Sequence, residues 1–456
     1  MNNANDILIV DTDLPKVMII GQTFTTDTGG GITLSSLFKN WPKNKLAVAV
    51  ESKETLDFSK ASNYYRLGFQ EQAMPFPFSM FQRKTKSGRV TEAVVQGAVH
   101  VKETTTLKAT LKRNLDNTLH HLGLFYWLYG NQKLSNDFID WFNDFNPDII
   151  YYQPNSYKSF GFVTALKGIT KKPLVIHVMD DWFTFAVKNS PLKTYWERKF
   201  DQKVRLLFSL AQVHLSICQY MADAYLQRYG YQFYPYHNSV DLDFWTHTNL
   251  KIKVDDSPFR LLYAGRVGYG VENTLQSVAN AVETMASEGL PIQLEIQTKD
   301  ANHPLIATLR KLGHTIISET IPYKQLPDKF ASADALLIPC DFDEMGLKFI
   351  KYSMPTKVSE YMAVGTPVFV VGPPQTALVE YARQGWAHIC TSIDAVAIKS
   401  ALAELVNSLD LRNGLVKSAG ALARQNHDEK EIIKQFRSMM YAAAHNRPVS
   451  EVSVNA

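Results

Sequence analysis

Lys357 and Glu360 stand three residues apart in the stretch PTKVSEYMAVGTP, which runs from Pro355 to Pro367. That spacing puts both on one side of a helix, a turn apart, while Val358 and Met362 form an apolar i, i+4 pair on another. Pro355 suits a first helical turn, and Gly365 with Pro367 stops the helix before the strand VFVVG. A cation, a carboxylate and the positive end of a helix dipole can hold one molecule, with amides and lysine toward phosphate and Glu360 accepting hydrogen bonds from ribose hydroxyls. The plainer reading is a surface ion pair. Arg266, in YAGRVGYG, follows a predicted strand, with Gly268 and Gly270 opening the turn. Its planar fork suits diphosphate oxygens, or a bridge to a neighbouring loop.

His177 closes the apolar run PLVIHV and precedes Met179, Asp180, Asp181 and Trp182, at the carboxyl edge where open α/β sheets keep their ligands. The alternative is a hydrogen-bonded structural histidine. Metal binding by His177 with the two aspartates is disfavoured, because successive residues of an extended chain point in different directions. Gly29, Gly30 and Gly31 follow the first strand without spelling G-x-G-x-x-G or a Walker A motif. They either let a ligand approach the backbone ahead of a helix N-terminus or form a tight turn. DFDEMGL, from Asp341, holds an Asp-x-Asp, a spelling that elsewhere suggests a metal-held nucleotide sugar. Its place after a late strand of a second α/β unit makes Glu344, Gly346 and Leu347 the positions of interest: Glu344 toward sugar hydroxyls, the two amides toward phosphate or hydroxyl. No Gly-x-Ser-x-Gly elbow, His-Glu-x-x-His or Cys/His cluster is present, which removes hydrolase chemistry of those kinds.

Such groups need a frame, and the apolar runs supply one. Val17 to Ile20 reads as a strand, GQTFTTDTGGG as a loop and ITLSSLFKNW as a helix. LAVAV from Leu46, DIIYY from Asp148, PLVIHVM from Pro173 and VHLSI from Val213 read as further strands, mostly with helical patterns between them. That alternation argues a parallel sheet covered on both faces. The pattern restarts with FRLLYAG at Phe259 and continues through IQLEIQT, HTIIS, DALLIP and PVFVVG. The expected division is a flexible tail over 1–15, a first domain over 16–243, a second over 244–428, a helix over 429–446 returning toward the first domain, and a tail over 447–456. NSVDLDFWTHTNLKIKVDDSP, residues 238–258, reads as the linker.

At 456 residues, 45% hydrophobic and 20% charged with net charge +4, the chain is globular and implies no global electrostatic partner. Cys218, Cys340 and Cys390 are far apart, odd in number and without Cys-x-x-Cys spacing, which disfavours disulfides and a zinc site and points to a reducing cytosol. The N-terminus lacks a leader pattern, and no apolar run approaches the roughly 20 residues of a spanning helix. A soluble or surface-bound protein is expected. Residues 75–113 break the α/β alternation as an insertion: PFPFSMF is followed by Arg83, Lys84, Lys86, Arg89, Lys102, Lys108, Lys112 and Arg113, against Glu92 and Glu103. Basic residues beside aromatics can bind anionic lipid headgroups or, equally, nucleic acid, and a solvated face is the plainer alternative.

In this order the segments resemble the family 4 glycosyltransferases, which have the GT-B fold of two Rossmann-like, doubly wound parallel-sheet α/β domains facing a central cleft. The resemblance spans about Lys16 to His445. It rests on the glycine loop, His177 at a strand end, NSVD at Asn238, YAGR at Tyr263 and PTKVSEYMAVGTPV at Pro355. It implies transfer of a sugar from a nucleotide donor to an acceptor hydroxyl with retention, without metal or cofactor, the donor mainly in the second domain and the acceptor mainly in the first. By position, Glu360 is similar to the family's ribose-binding glutamate, Arg266 to its diphosphate arginine, and His177 to its histidine beside the donor sugar. Gly30 and Gly31 are similar to the wall of the reaction centre. On this reading His177, Arg266 and Glu344 are catalytic, and Gly346, Leu347 and Lys357 share donor binding.

Two departures stand out. Val271 occupies the place of the family's usual lysine, leaving Lys357 or Lys351 to meet diphosphate charge, and Tyr352 occupies that of a second glutamate. The apparent insertion KFIKYSM displaces Glu344. The implied partners are a UDP- or GDP-sugar, a glycan or lipid-linked acceptor and a peripheral membrane surface, with no nucleic acid. The implied setting is the cytoplasm, at the inner membrane face, in bacterial surface polysaccharide or glycan synthesis. A sugar-nucleotide epimerase, which needs no acceptor, and a catalytically silent nucleotide-sugar-binding protein are the competing classes.

Overall fold

The computed structural model describes residues 13–25, 28–51, 54, 56–76, 78–81, 85–92, 107–184, 186–246 and 257–448. They form two compact units: the described residues up to Tyr236 together with those from Ile433 onward, and His237–Ile432.

In the first unit eight strands form one sheet: β1 (Val17–Ile20), β2 (Leu46–Glu51), β3 (Asn63–Leu67), β4 (Gly88–Val90), β5 (Ile149–Tyr152), β6 (Leu174–Val178), β7 (Val213–Ser216) and β8 (Phe233–Pro235). Their order is β4-β3-β2-β1-β5-β6-β7-β8, parallel except where β4 pairs with β3. Every residue of β1, β5, β6 and β7 is buried, as central strands covered on both faces require. Register sets Val17 opposite both Leu46 and Ile149, and His177 opposite Leu215. Helices return the chain between strands, among them Gly29–Leu37, capped by Thr28, and Asn136–Phe145, capped by Ser135 and ended at Asn146 with φ +46°. One face is closed from the far end of the chain: Phe436, in the helix Glu429–Ala444, packs on Phe38 at 5.1 Å, Tyr236 at 5.7 Å and Tyr151 at 6.0 Å.

The second unit has six parallel strands: β9 (Phe259–Ala264), β10 (Ile292–Gln297), β11 (Thr315–Ser318), β12 (Ala335–Pro339), β13 (Val368–Val371) and β14 (His388–Cys390). They lie in the order β11-β10-β9-β12-β13-β14. Leu261, Leu294, Leu337 and Phe369 meet Val278 and Val282 of the helix Glu272–Ser287 and Leu402 of the helix Ala395–Asn407 in one core. In both sheets the order reverses beside the first strand, between β1 and β5 and between β9 and β12. The carboxyl ends of those strands border a crevice, the usual ligand position in such sheets.

The chain leaves the first unit after Tyr236, earlier than a boundary at 243, because Asn238 and Val240 are bound into the second. The His427 ring meets the Asn238 carbonyl at 2.8 Å, the Val240 amide donates to the His427 carbonyl at 2.8 Å, and the Glu429 amide donates back to Val240. Of the expected linker, Leu242–Thr246 is a short helix and 247–256 lie outside the described residues. At the N-terminal end Leu14 and Pro15, expected in the flexible tail, are buried, and the Trp41 indole donates to the Pro15 carbonyl; residues 1–12 lie outside the described residues. Arg83, Lys84 and Lys102 of the basic insertion lie outside the described residues, as do the side chains of Lys108 and Lys112. Among the described residues no helix is long and apolar enough to cross a membrane, and the three cysteines are buried and form no disulfide.

Candidate functional site

In the second unit, Arg266 stands two residues beyond β9. Its turn is pinned from both sides: the Tyr263 hydroxyl donates to the Arg266 carbonyl, and the Val267 amide donates to Asp300 at 2.8 Å. Gly268 and Gly270 follow at φ +144° and +90°, conformations that a β-carbon would strain. The arginine is exposed and, among the described residues, forms no ion pair.

The expected helix after Pro355 forms over Val358–Ala363, with Val358 and Met362 buried and Gly365 ending it at φ +82°. Lys357 occupies its N-cap position without a side-chain hydrogen bond to it, and Glu360 sits in its first turn. They are not an open surface pair. Both are part-buried, no salt bridge joins them, and the Lys357 Nζ lies 5.7 Å from the centroid of the Phe330 ring. Desolvation dominates at both: it pushes the Glu360 carboxyl up to about 7, against the opposing pull of Lys357 and Tyr323, and it lowers Lys357. Tyr323 is itself held, since the Trp245 indole donates to its hydroxyl at 3.2 Å and Phe244 stacks on its ring. The Tyr361 hydroxyl bonds to the Ala264 backbone, tying this helix to the end of β9 just ahead of Arg266. A guanidinium without an ion pair among the described residues thus follows β9, and an amine and a carboxylate that form no salt bridge with each other stand on the helix tied to that strand's end, the carboxylate hydrogen-bonded to Tyr323.

DFDEMGL corrects the sequence reading. Asp341 is buried and accepts from the Thr274 amide at 2.9 Å. Asp343 caps the helix Glu344–Ile350, taking the amides of Met345 at 3.1 Å and Gly346 at 2.8 Å, and the Leu347 amide donates to the Asp343 carbonyl at 2.8 Å. The Gly346 and Leu347 amides are therefore spent on the helix itself. A β-carbon at Gly346 would sit 2.9 Å from that of Asp341, which explains the glycine by packing. The Glu344 side chain is 81% exposed and paired with Lys348. Lys351, in contrast, lies 5.1 Å above the Tyr352 ring and forms no ion pair among the described residues.

In the first unit His177 is fully buried, and burial holds its imidazole down at about 3, so it is neutral at any physiological pH. Its Nδ1 lies 2.6 Å from the Tyr151 hydroxyl, to which the Gln153 side-chain amide donates at 3.0 Å. Among the described residues, Gln153 Oε1 at the far end of this chain has no hydrogen-bond partner, while the His177 ring also meets the Ser216 backbone. A β-carbon at Gly30 would lie 2.4 Å from Gln22 Nε2 and 3.2 Å from Gln153 Oε1, and one at Gly31 would lie 2.3 Å from the Thr25 methyl. The Gly31 amide donates to the Thr28 hydroxyl at 3.2 Å. The glycines thus serve close packing of the loop on its helix, and Gly30 rests on the same polar chain that ends in His177. Tyr151 and Gln153 escaped the sequence reading; the signal was a run of apolar residues closing on two tyrosines and a glutamine at the switch-point strand.

The sequence matches no protein-family model and none of the curated proteins. Solved structures do resemble it. Anabaena HepE in complex with UDP and glucose aligns with a TM-score of 0.55 over 93% of this chain and 98% of that one, at 12% identity. Sucrose-phosphate synthase from Thermosynechococcus elongatus gives 0.57 over 92% and 97%, also at 12%. An α,α-trehalose-phosphate synthase (UDP-forming) from Burkholderia vietnamiensis gives 0.56 over 97% and 100%, at 11%. At such identities the likeness concerns architecture, and with the two sheet orders it establishes the GT-B fold.

Proposed function

We propose that the chain is a glycosyltransferase of the family 4 type, moving a sugar from a UDP- or GDP-sugar to an acceptor hydroxyl with retention and without a metal. One observation carries the reading. At the crevice beside β9, Arg266 is exposed and Lys357 and Glu360 are part-buried, and none of the three forms a salt bridge among the described residues. Such groups favour a ligand that brings both anionic oxygens and hydroxyl donors, as a sugar nucleotide does. HepE, whose structure holds UDP and glucose, supports the same ligand class.

In this proposal Glu360 accepts from the ribose hydroxyls, and Arg266 with Lys357 or Lys351 stabilises charge growing on the diphosphate as its bond to the sugar breaks. The acceptor hydroxyl forms the new bond on the same face of the sugar and gives its proton to the departing diphosphate. Preorganised electrostatics supplies most of the acceleration. His177, buried and neutral, acts as a positioning residue, bracing Tyr151 and Gln153 behind Gly30 in the wall that faces acceptor. Glu344, Gly346 and Leu347 have no part in it. The acceptor is a glycan or a lipid-linked hydroxyl, in surface polysaccharide synthesis at a cytoplasmic membrane face.

Calorimetric titration of the full chain with UDP, GDP and their sugars tests the donor site: binding by the wild type, weakened in Glu360→Gln, is expected. No binding of any nucleotide removes the reading. Nucleotide release that needs added acceptor marks a transferase, and conversion of the sugar nucleotide without acceptor marks an epimerase instead.

A further inference from the structure

Three segments of the first unit leave large apolar side chains in water, and contacts tie the segments together. Phe76 and Met80 are 81% and 74% exposed, and Phe78 stands edge-on at 5.9 Å to Trp127, itself 46% exposed. Leu115 is exposed in the helix Leu107–His121, as are Leu122 and Leu124 in the turn that follows. Gly123, in that turn at φ +72°, is packed so closely on Leu192 that a β-carbon there would sit 2.7 Å from the leucine's. The Trp196 indole donates to the Gly123 carbonyl at 2.5 Å, and Leu192 and Tyr195 are exposed beside it. Grouped exposure of this kind marks an interaction surface rather than scattered surface residues.

Charge indicates the partner. Between residues 186 and 203, Lys188, Lys193, Arg198, Lys199 and Lys203 are set against only Glu197 and Asp201. Asp201 is taken by Arg205 at 2.7 Å, and Lys193 meets Glu197 only at 3.8 Å. Arg113 is exposed in the helix Leu107–His121, two residues before Leu115. The patch also adjoins the carboxyl edge of the sheet: the Tyr126 hydroxyl donates to the Ala186 carbonyl at 2.7 Å, and the Trp182 indole donates to the Pro154 carbonyl just after β5.

We propose that this face docks on an anionic bilayer, its aromatic and aliphatic side chains entering the headgroup boundary while the surrounding lysines and arginines meet lipid phosphates. The docking stands on the surface alone; that it delivers a lipid-linked acceptor to the neighbouring sheet edge rests on the glycosyltransferase reading. Phe76, Phe78 and Met80 supply part of the surface, and the greater part comes from 113–127 and 188–195.

Flotation of the full chain with phosphatidylcholine vesicles containing about 30% phosphatidylglycerol tests the proposal. The wild type is expected to float with these at low salt and to stay behind with phosphatidylcholine alone. The triple change Phe76→Ser, Met80→Ser, Trp127→Ser, and separately Lys188→Ser, Lys193→Ser, Lys199→Ser, should each lower vesicle binding about tenfold while nucleotide titration is unchanged. Failure of the wild type to float overturns the docking, as does flotation of both variants to the same extent as the wild type. A dimer in sedimentation that the apolar variant dissociates overturns it too, assigning the face to a second copy of the chain. Flotation without any nucleotide binding leaves the docking intact and removes only the transferase reading.

Discussion

Two charged groupings of the second unit use the same residue types to opposite ends. At the first, Glu295 on β10 accepts from Lys329 and from Ser318 at 2.8 Å, with Arg260 alongside at 3.9 Å. Arg260 in turn donates to Ser332, and its backbone amide donates to Asp334 at 2.8 Å. Burial raises the Glu295 carboxyl, but these partners outweigh it and the net direction is downward. At the second, Glu360 has a lysine one turn away and a tyrosine nearby, yet burial wins and the carboxyl rises to about 7. Burial alone therefore does not identify a ligand site. What separates the two is whether the protein itself completes the charges it encloses.

The largest test of that contrast is Glu295→Ala, which strands Lys329 and Arg260. It should cost about 3–5 kcal/mol in urea unfolding while leaving nucleotide affinity unchanged. Arg266→Ala should do the reverse, cutting turnover by about 10²–10³-fold with stability held within about 0.5 kcal/mol. If the stability costs of the two changes were alike, the division between engaged and open cations would be broken. Glu360→Gln comes next, with a donor affinity about tenfold weaker by calorimetry and no loss of stability, because the substitution removes a charge the fold does not complete.

Titration sharpens the same comparison. Glu360 is raised above its ordinary 4.5, so the folded chain holds this proton more tightly than the unfolded one. Its contribution to stability therefore falls as pH rises from about 4.5 to about 7 and is level above that. Glu295 is lowered, so its contribution is present above the ordinary carboxylate value and is lost as pH falls below it. Unfolding measured from pH 4 to 8 should show the decline between 4.5 and 7 disappear in Glu360→Gln, and donor affinity should weaken as pH drops below about 7. The smallest effect is expected of Tyr323→Phe, which removes a hydroxyl that helps keep Glu360 ionised: affinity about threefold weaker near neutral pH, and hardly changed at pH 8.

The central strands were legible because Val and Ile runs such as VMII and LVIHV have no other comfortable place than a sheet buried on both faces. The strand NYYRL was missed because aromatic and polar residues interleave in it, and β4, β8 and β14 are three residues long, too short for any periodicity to show. The helix after Pro355 was legible from its apolar pair and its stop at Gly365. Its charge state was not, since that depends on Phe330 and Tyr323, which arrive from elsewhere in the chain. DFDEMGL misled because an aspartate that caps a helix is spelled the same way as one that awaits a ligand. His177 was placed correctly at a strand end, but a period of two along a strand does not say that Tyr151 fills the space beside its Nδ1.

The first unit is stitched from the two ends of the chain, and that sets the order in which it can be made. Phe38 and Tyr151 emerge early from the ribosome, yet the ring that covers them, Phe436, is translated only after the second unit. Until then an aromatic flank stays open while the whole second unit is synthesised, so completion of the early part waits on the helix Glu429–Ala444. A gene cut after Tyr236 would yield a sticky fragment, and supplying Glu429–Ala444 as a separate peptide should rescue it.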